Sequence, residues 1–129
     1  MIVVDASIVV TALADDGDDG DRTRTRLRGE RLFAPELIDI EVVSAWRRLV
    51  AAGRLDERRA DVARHDLSSM RIQRARHQPL MHRSWELRHN FTIYDAAYVA
   101  LAEMMNATLL TGDGRLAGAP GIRCRTEVM

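Results

Sequence analysis

Ile2-Val3-Val4-Asp5-Ala6-Ser7 opens the chain, and Leu109-Leu110-Thr111-Gly112-Asp113 answers it near the other end. Each is a short aliphatic run with the composition of a buried strand, and each stops at a carboxylate. In an open α/β sheet ligands bind outside the carboxyl ends of the strands, so two strands of this kind deliver two acids to one edge. Glu41 and Asp95 add two more in surroundings that are otherwise apolar. Leu37, Ile38 and Ala45 lie one helical turn from Glu41, and Tyr98, Val99 and Ala102 share a face with Asp95. Carboxylates brought together repel one another and resist desolvation, so a stable cluster needs protons, basic partners or a divalent cation. A hard ion such as Mg²⁺, which takes oxygen ligands and keeps water positions for substrate phosphates, is the simplest solution.

Outward from these ends the chain alternates strands and helices. Ser7 is a candidate cap for a helix over about 8–14, and the acidic stretch Asp15 to Asp21 reads as a solvated loop. It lacks the Gly-at-six, Glu-at-twelve register of a calcium loop. An exposed Arg-rich helix follows over 22–29, then a strand over 32–34. Pro35 leads into a helix over about 36–52 closed by Gly53, and a second helix over 56–67 pairs with it. Arg71 to Gln73 reads as a short strand or connector, and Pro79 opens a helix to about His89. The segment 94–105 is apolar nearly all round, as expected of a helix buried on several sides. A strand over 107–110, a Gly-rich turn through Gly121 and a weak strand near 122–125 complete the order. This pattern predicts a mainly parallel sheet with helices on both faces.

The length of 129 residues suits one domain spanning 1–129, and 47% hydrophobic with 29% charged residues is a globular composition. The net charge is zero, so no global basicity advertises nucleic acid, and all 19 basic residues are Arg, a bias that codon usage explains as well as phosphate binding does. The single Cys124 has no disulfide partner and reads as a small core residue. Asp5 interrupts what would be the apolar core of a signal peptide, which predicts a cytoplasmic location, and no segment has the length of a membrane helix. His82, Glu86 and His89 share a helical face, but their spacing is not His-Glu-x-x-His and a solvated face is the simpler reading.

Four motifs carry a family resemblance. They are Val3-Val4-Asp5-Ala6-Ser7, Pro35-Glu36-Leu37 through Glu41-Val42, Tyr94-Asp95-Ala96-Ala97-Tyr98 through Ala102, and Leu110-Thr111-Gly112-Asp113-Gly114-Arg115-Leu116. In order and spacing they resemble PIN-domain proteins, and within these the VapC toxins of bacterial type II toxin–antitoxin pairs. The resemblance implies a three-layer α/β sandwich with a mainly parallel central sheet. It also implies a Mg²⁺- or Mn²⁺-dependent endoribonuclease acting on structured RNA such as tRNA or rRNA. It assigns Asp5, Glu41, Asp95 and Asp113 to the catalytic acids, with Asp5, Asp95 and Asp113 on the metal and Ser7 and Thr111 as polar supports. Glu36 and Asp39 crowd Glu41, so the second acid stays open among the three. Arg115, beside Asp113, is the candidate for holding RNA, ahead of the 22–31 helix and Arg71, Arg74 and Arg76. The implied partners are an antitoxin, the RNA, and a second copy in a homodimer within a toxin–antitoxin hetero-oligomer. The alternative is a catalytically silent module that keeps the fold to bind a partner. A receiver-like or dehalogenase-like phosphotransfer domain is disfavoured by the absence of Lys and by Ser7 in place of a second Asp.

Overall fold

The structure, a computed structural model, describes residues 1–129. Its centre is a five-stranded sheet in the order β3-β2-β1-β4-β5, built from β1 (Ile2–Val4), β2 (Leu32–Pro35), β3 (Ile72–Ala75), β4 (Thr108–Thr111) and β5 (Thr126–Val128). All four pairings are parallel. β1, β2 and most of β4 are buried, in keeping with their continuous apolar runs.

The connections decide where the site lies. From β1 the chain passes through α1 (Ala6–Ala14) and α2 (Asp18–Leu27) to β2, and through α3 (Ile38–Ala51) and α4 (Glu57–Ser69) to β3. It then returns through a 3₁₀ turn, Gln78–Leu80, with α5 (Met81–Glu86) and α6 (Ile93–Met104), to pair β4 on the free side of β1. Parallel crossovers are right-handed, so reversing the direction of travel moves the covering helices to the opposite face. α1 to α4 therefore cover one face and α5 with α6 the other. The order reverses between β1 and β4, which is the topological switch point of the sheet. After β4, α7 (Gly114–Gly118) leads to β5 at the edge.

α6 packs most deeply. Every residue from Ala96 to Ala102 is buried, because the alanines let the helix backbone approach the sheet while Tyr98 and Leu101 fill the spaces between. On the other face Ile8, Val9, Ile38, Val42 and Trp46 join the same core.

Several boundaries differ from the sequence expectation. Asp5, not Ser7, caps α1: its carboxylate accepts the Ile8 N–H at 3.3 Å, and Ser7 sits inside the first turn. α2 begins at Asp18 rather than after the acidic stretch, because Asp18, Asp19 and Asp21 favour the positive N-terminal end of the helix. Nor is α2 simply an exposed charged helix. Arg24 donates to the Ala12 and Asp15 carbonyls at 2.9 and 2.8 Å, satisfying the end of α1. Gly20 is buried at this junction, where a Cβ would lie 1.8 Å from the Asp15 carbonyl oxygen. The Gly-rich stretch after β4 contains α7, and β5 falls three to four residues later than expected because its pairing of Leu109 with Thr126 sets the register. Cys124 is half-buried against the core rather than within it.

Candidate active site

β1 and β4 run side by side, with Val4 in register with Leu110, and the Asp5 amide continues the ladder to the Leu110 carbonyl at 3.1 Å. Asp5 and Thr111 therefore leave the sheet together at its switch point. The Thr111 hydroxyl donates to Asp5 Oδ2, and the Ser7 hydroxyl donates to Asp5 Oδ1 at 2.5 Å. Both supporting hydroxyls thus hold the same carboxylate. Each also accepts from the neighbouring turn: Thr111 Oγ1 takes the Asp113 N–H at 3.0 Å, and Ser7 Oγ takes the Gly112 N–H at 2.9 Å. The Asp5 carboxylate and the Gly112-Asp113 turn are parts of one hydrogen-bonded unit.

The other acids come from helix starts. Asp95 lies in the first turn of α6, whose cap Thr92 accepts the Asp95 N–H at 3.1 Å. Glu41 lies in the first turn of α3. That helix has no side-chain cap of its own; the Leu37 N–H donates to His77 Nε2 at 2.9 Å and the Glu36 N–H to the Ala75 carbonyl at 2.9 Å, so the segment after β3 holds it. Glu41 accepts the Tyr98 hydroxyl at 2.7 Å, which ties α3 to α6 across the site. The neighbouring acids go elsewhere. Asp39 takes a bidentate pair from Arg74 at 2.6 and 2.7 Å, and Glu36 is exposed. Glu41 is the member of that crowded trio that faces the other carboxylates.

The charges of the four feel one another. Burial is the main reason the Asp5 carboxyl is pushed up from its ordinary value; Ser7, Thr111 and the Ile8 N–H pull it back, and the Asp95 charge pushes it further up. Glu41 is also raised, first by burial, against the Tyr98 bond, and then by the charges of Asp95 and Asp5. Asp95 is raised by burial, opposed by Thr92, with the charge of Asp113 adding to the rise. Tyr98 is pushed well up by burial and by the Glu41 carboxylate, so it remains a hydroxyl donor. The basic groups nearby are peripheral: Arg115 Nε is 3.7 Å from Asp113, and its side chain is almost fully exposed.

No three acidic, histidine or cysteine side chains converge closely enough to ligate one ion by themselves. The donors still suit a hard cation: all are oxygens, the lone pairs of Asp5 are not exhausted by its hydrogen bonds, and their mutual repulsion is not offset by a buried base. Mg²⁺ is commonly bound through one or two carboxylates with water completing its shell, and such a ligand set fits this cluster.

Beside Asp95 and Asp113 opens a cavity of about 400 Å³ whose walls include Arg88, Asn90, Phe91 and Arg115. One wall is the turn between α5 and α6 and the other the start of α7. Tyr98, Thr92, His77 and Arg88 are the participants that sequence reasoning did not single out. Tyr98 had a legible signal, since it stands three residues after Asp95 on the same helical face.

A parallel sheet with carboxylates gathered at its switch point is common to several phosphoryl-chemistry folds, and likeness to known proteins decides among them. The family model of the PIN domain matches residues 2–122. Ribonuclease VapC1 of Mycobacterium tuberculosis is 44% identical over 128 residues, covering 98% of this chain and 96% of the relative. Ribonuclease VapC9 of the same organism is 39% identical over 129 residues, covering 100% and 98%. The crystal structure of PAE2754 from Pyrobaculum aerophilum matches with a TM-score of 0.72 at 25% identity, over 98% of this chain and 83% of that one. That of Mycobacterium tuberculosis VapC20, described as a Sarcin-Ricin loop cleaving toxin, has a TM-score of 0.69 at 18% identity, over 95% and 99%, a likeness of fold. The chain belongs to the PIN-domain family and, within it, to the VapC ribonucleases. Its chemistry is accordingly that of an RNA-cleaving hydrolase. No helix is long and apolar enough to cross a membrane.

Proposed function

We propose that the chain is the toxin of a toxin–antitoxin pair, an endoribonuclease that hydrolyses phosphodiester bonds in structured RNA such as tRNA or rRNA with the help of Mg²⁺ or Mn²⁺. The observation that carries this reading is the meeting of Asp5, Glu41, Asp95 and Asp113, drawn from two strand ends and two helix starts, with their charges coupled and no buried base among them. Asp5, Asp95 and Asp113 are the residues that would hold the cation, one or two of them directly and the remainder through water. When bound, the ion supplies charge neutralisation at the scissile phosphate and activation of water.

The protein's own groups do the rest. Glu41, held by Tyr98 and raised above its ordinary value by burial, orients the attacking water and accepts its proton as a P–O bond forms to the water oxygen and the opposite P–O ester bond breaks, the departing ribose oxygen taking a proton from solvent. Ser7 and Thr111 keep Asp5 aimed, and the exposed Arg115 holds a flanking phosphate. Bases unpaired in a loop give such an enzyme edges to read, which supports a structured RNA over a continuous duplex. The antitoxin would cover this acidic mouth with a basic side chain, and the exposed apolar residues Ile40, Val43 and Val62 on α3 and α4 offer it or a second copy a surface. A cytoplasmic place of action agrees with an RNA target.

The test is cleavage of purified tRNA and rRNA by the wild type, Asp5→Asn and Asp95→Asn, each with Mg²⁺ and with EDTA. Cleavage by the wild type in Mg²⁺ alone, with both variants folded and silent, is expected. Undiminished cleavage in chelator contradicts the metal site, and full activity of both variants contradicts the acids.

A further inference from the structure

Trp85, next to last in α5, is 62% exposed, an unusual place for a residue with so large an apolar ring. The Arg88 guanidinium carbon lies over that ring at 4.4 Å from its centroid, and Arg88 Nη1 donates to the Trp85 carbonyl at 2.8 Å. The guanidinium is therefore held over the ring by two contacts within its own turn. Arg24, Arg26, Arg59, Arg74 and Arg83 are all spent on carboxylates; Arg88 pairs with none and lines the cavity that contains Asp95 and Asp113. The turn carrying it is anchored, since Asn90 Nδ2 donates to the Pro120 carbonyl at 3.1 Å and Arg83 to the Gly121 carbonyl at 2.8 Å.

A planar cation backed by an indole is a surface on which a nucleobase stacks, and single-stranded nucleic acid is gripped by such planes together with phosphate contacts. The cavity volume of about 400 Å³ lies within the range of small-ligand sites. Arg115, on the opposite wall, is a second cation, almost fully exposed and only loosely paired with Asp113 at 3.7 Å, suited to the phosphate on the other side of the base.

We infer that the α5–α6 turn is a base-stacking subsite, in which Arg88 laid over Trp85 receives an unpaired base next to the phosphate presented to Asp95 and Asp113. This rests on the nuclease reading for its setting, but its own signature is a dependence on the base rather than on the charge of the strand.

The probe is a fluorescein-labelled A10 RNA and an abasic strand of the same length and charge, titrated by anisotropy against the Asp95→Asn protein, which leaves the RNA intact. Adding Arg88→Ala is expected to weaken A10 binding about 5- to 150-fold and abasic binding less than about 3-fold, since one phosphate-range charge is lost from both. Arg88→Lys, which keeps the charge and loses the plane, is expected to behave as Arg88→Ala on A10, and Trp85→Ala to weaken A10 in the same direction. Both side chains are exposed, so melting temperatures should hold. Equal weakening of the two strands, rescue by Arg88→Lys, or unchanged A10 binding overturns the subsite. If the wild type fails to cut RNA while the base-dependent loss persists, the nuclease reading falls and the subsite stands; if it cuts RNA while the loss is independent of the base, the nuclease reading stands and the subsite falls.

Discussion

Tyr98→Phe isolates one hydrogen bond in the site without changing its shape. Tyr98 is 1% exposed and its ring packs in the core, so phenylalanine keeps that packing and removes only the donor to Glu41 at 2.7 Å. A hydrogen bond to a charged group contributes about 1.5–3 kcal/mol, and one between neutral groups about 0.5–1.5. At pH 7 the variant should therefore lose about 1.5–3 kcal/mol in urea unfolding. At about 2.1 cal/mol/K of unfolding entropy per residue, each kcal/mol in a chain of 129 residues moves the midpoint by about 4 °C, a fall of about 6–11 °C. The loss has a required pH dependence. Glu41 is already raised above its ordinary 4.5 in the folded state, so its own contribution favours folding at low pH and fades as pH climbs through the raised value. Tyr98 opposes that rise by stabilising the carboxylate. Without it the folded proton is held still more tightly, so the penalty is greatest above the raised value and shrinks toward the neutral-bond figure near pH 4. A loss under about 0.5 kcal/mol at pH 7, or the same loss at pH 4 and pH 7, would falsify the picture of a charged Glu41 held by this hydroxyl. In cleavage assays the variant should lower kcat with KM unchanged, because the bond positions the acid rather than the RNA.

Thr111→Val, an exchange of nearly equal volume at a wholly buried position, strips Asp5 Oδ2 of its donor and the Asp113 N–H of its acceptor. It should cost about 2–4 kcal/mol at pH 7 in urea unfolding, and less in acid as Asp5 takes up a proton; no greater cost at pH 7 than at pH 4 would count against a buried carboxylate. Mg²⁺ at ten times its dissociation constant should stabilise the wild type by about 1.4 kcal/mol, or about 5 °C in a thermal scan. Asp95→Asn should lose that response, and an equal shift in both proteins would place the ion elsewhere. Gly20→Ala drives a methyl against the Asp15 backbone where α2 meets α1, and should destabilise by about 1–3 kcal/mol; a neutral result in calorimetry would mean that this junction is looser than the structure has it.

The parts of the site that were legible in the sequence are those that disturb a local pattern. Asp5 and Asp113 stop apolar strands, and Asp95 interrupts an apolar helix, so each is visible as a charge placed where burial is costly. β1, β2 and β4 were visible for the same reason in reverse, as unbroken aliphatic runs bounded by polar residues. α7 was hidden because Gly114, Gly118 and Asp113 favour turns, and only in the fold does the Asp113 carboxylate accept the Arg115 N–H at 2.9 Å and begin a helix. β5 was misplaced because its register depends on β4, some seventeen residues earlier in the paired positions.

What local pattern could not supply is the set of partners that gives each acid its energy. Thr111 reaches Asp5 across 106 residues, Tyr98 reaches Glu41 across 57, and Arg74 reaches Asp39 across 35. The last of these separates the crowded acids at the start of α3. Asp39 and Glu41 are two residues apart and alike in their apolar surroundings, yet one has a guanidinium of its own while the other has a neutral hydroxyl and faces two more carboxylates. A carboxylate paired with a guanidinium is held as a weak base, whereas one raised by burial and by neighbouring anions, with only a neutral hydroxyl as donor, is the better acceptor of a proton from water. On the proposed function, the choice of Glu41 over Asp39 is a property of the β3 edge, where Arg74 resides, and Arg74→Ala should release Asp39 from its pair while leaving the Tyr98–Glu41 bond and the acid cluster in place.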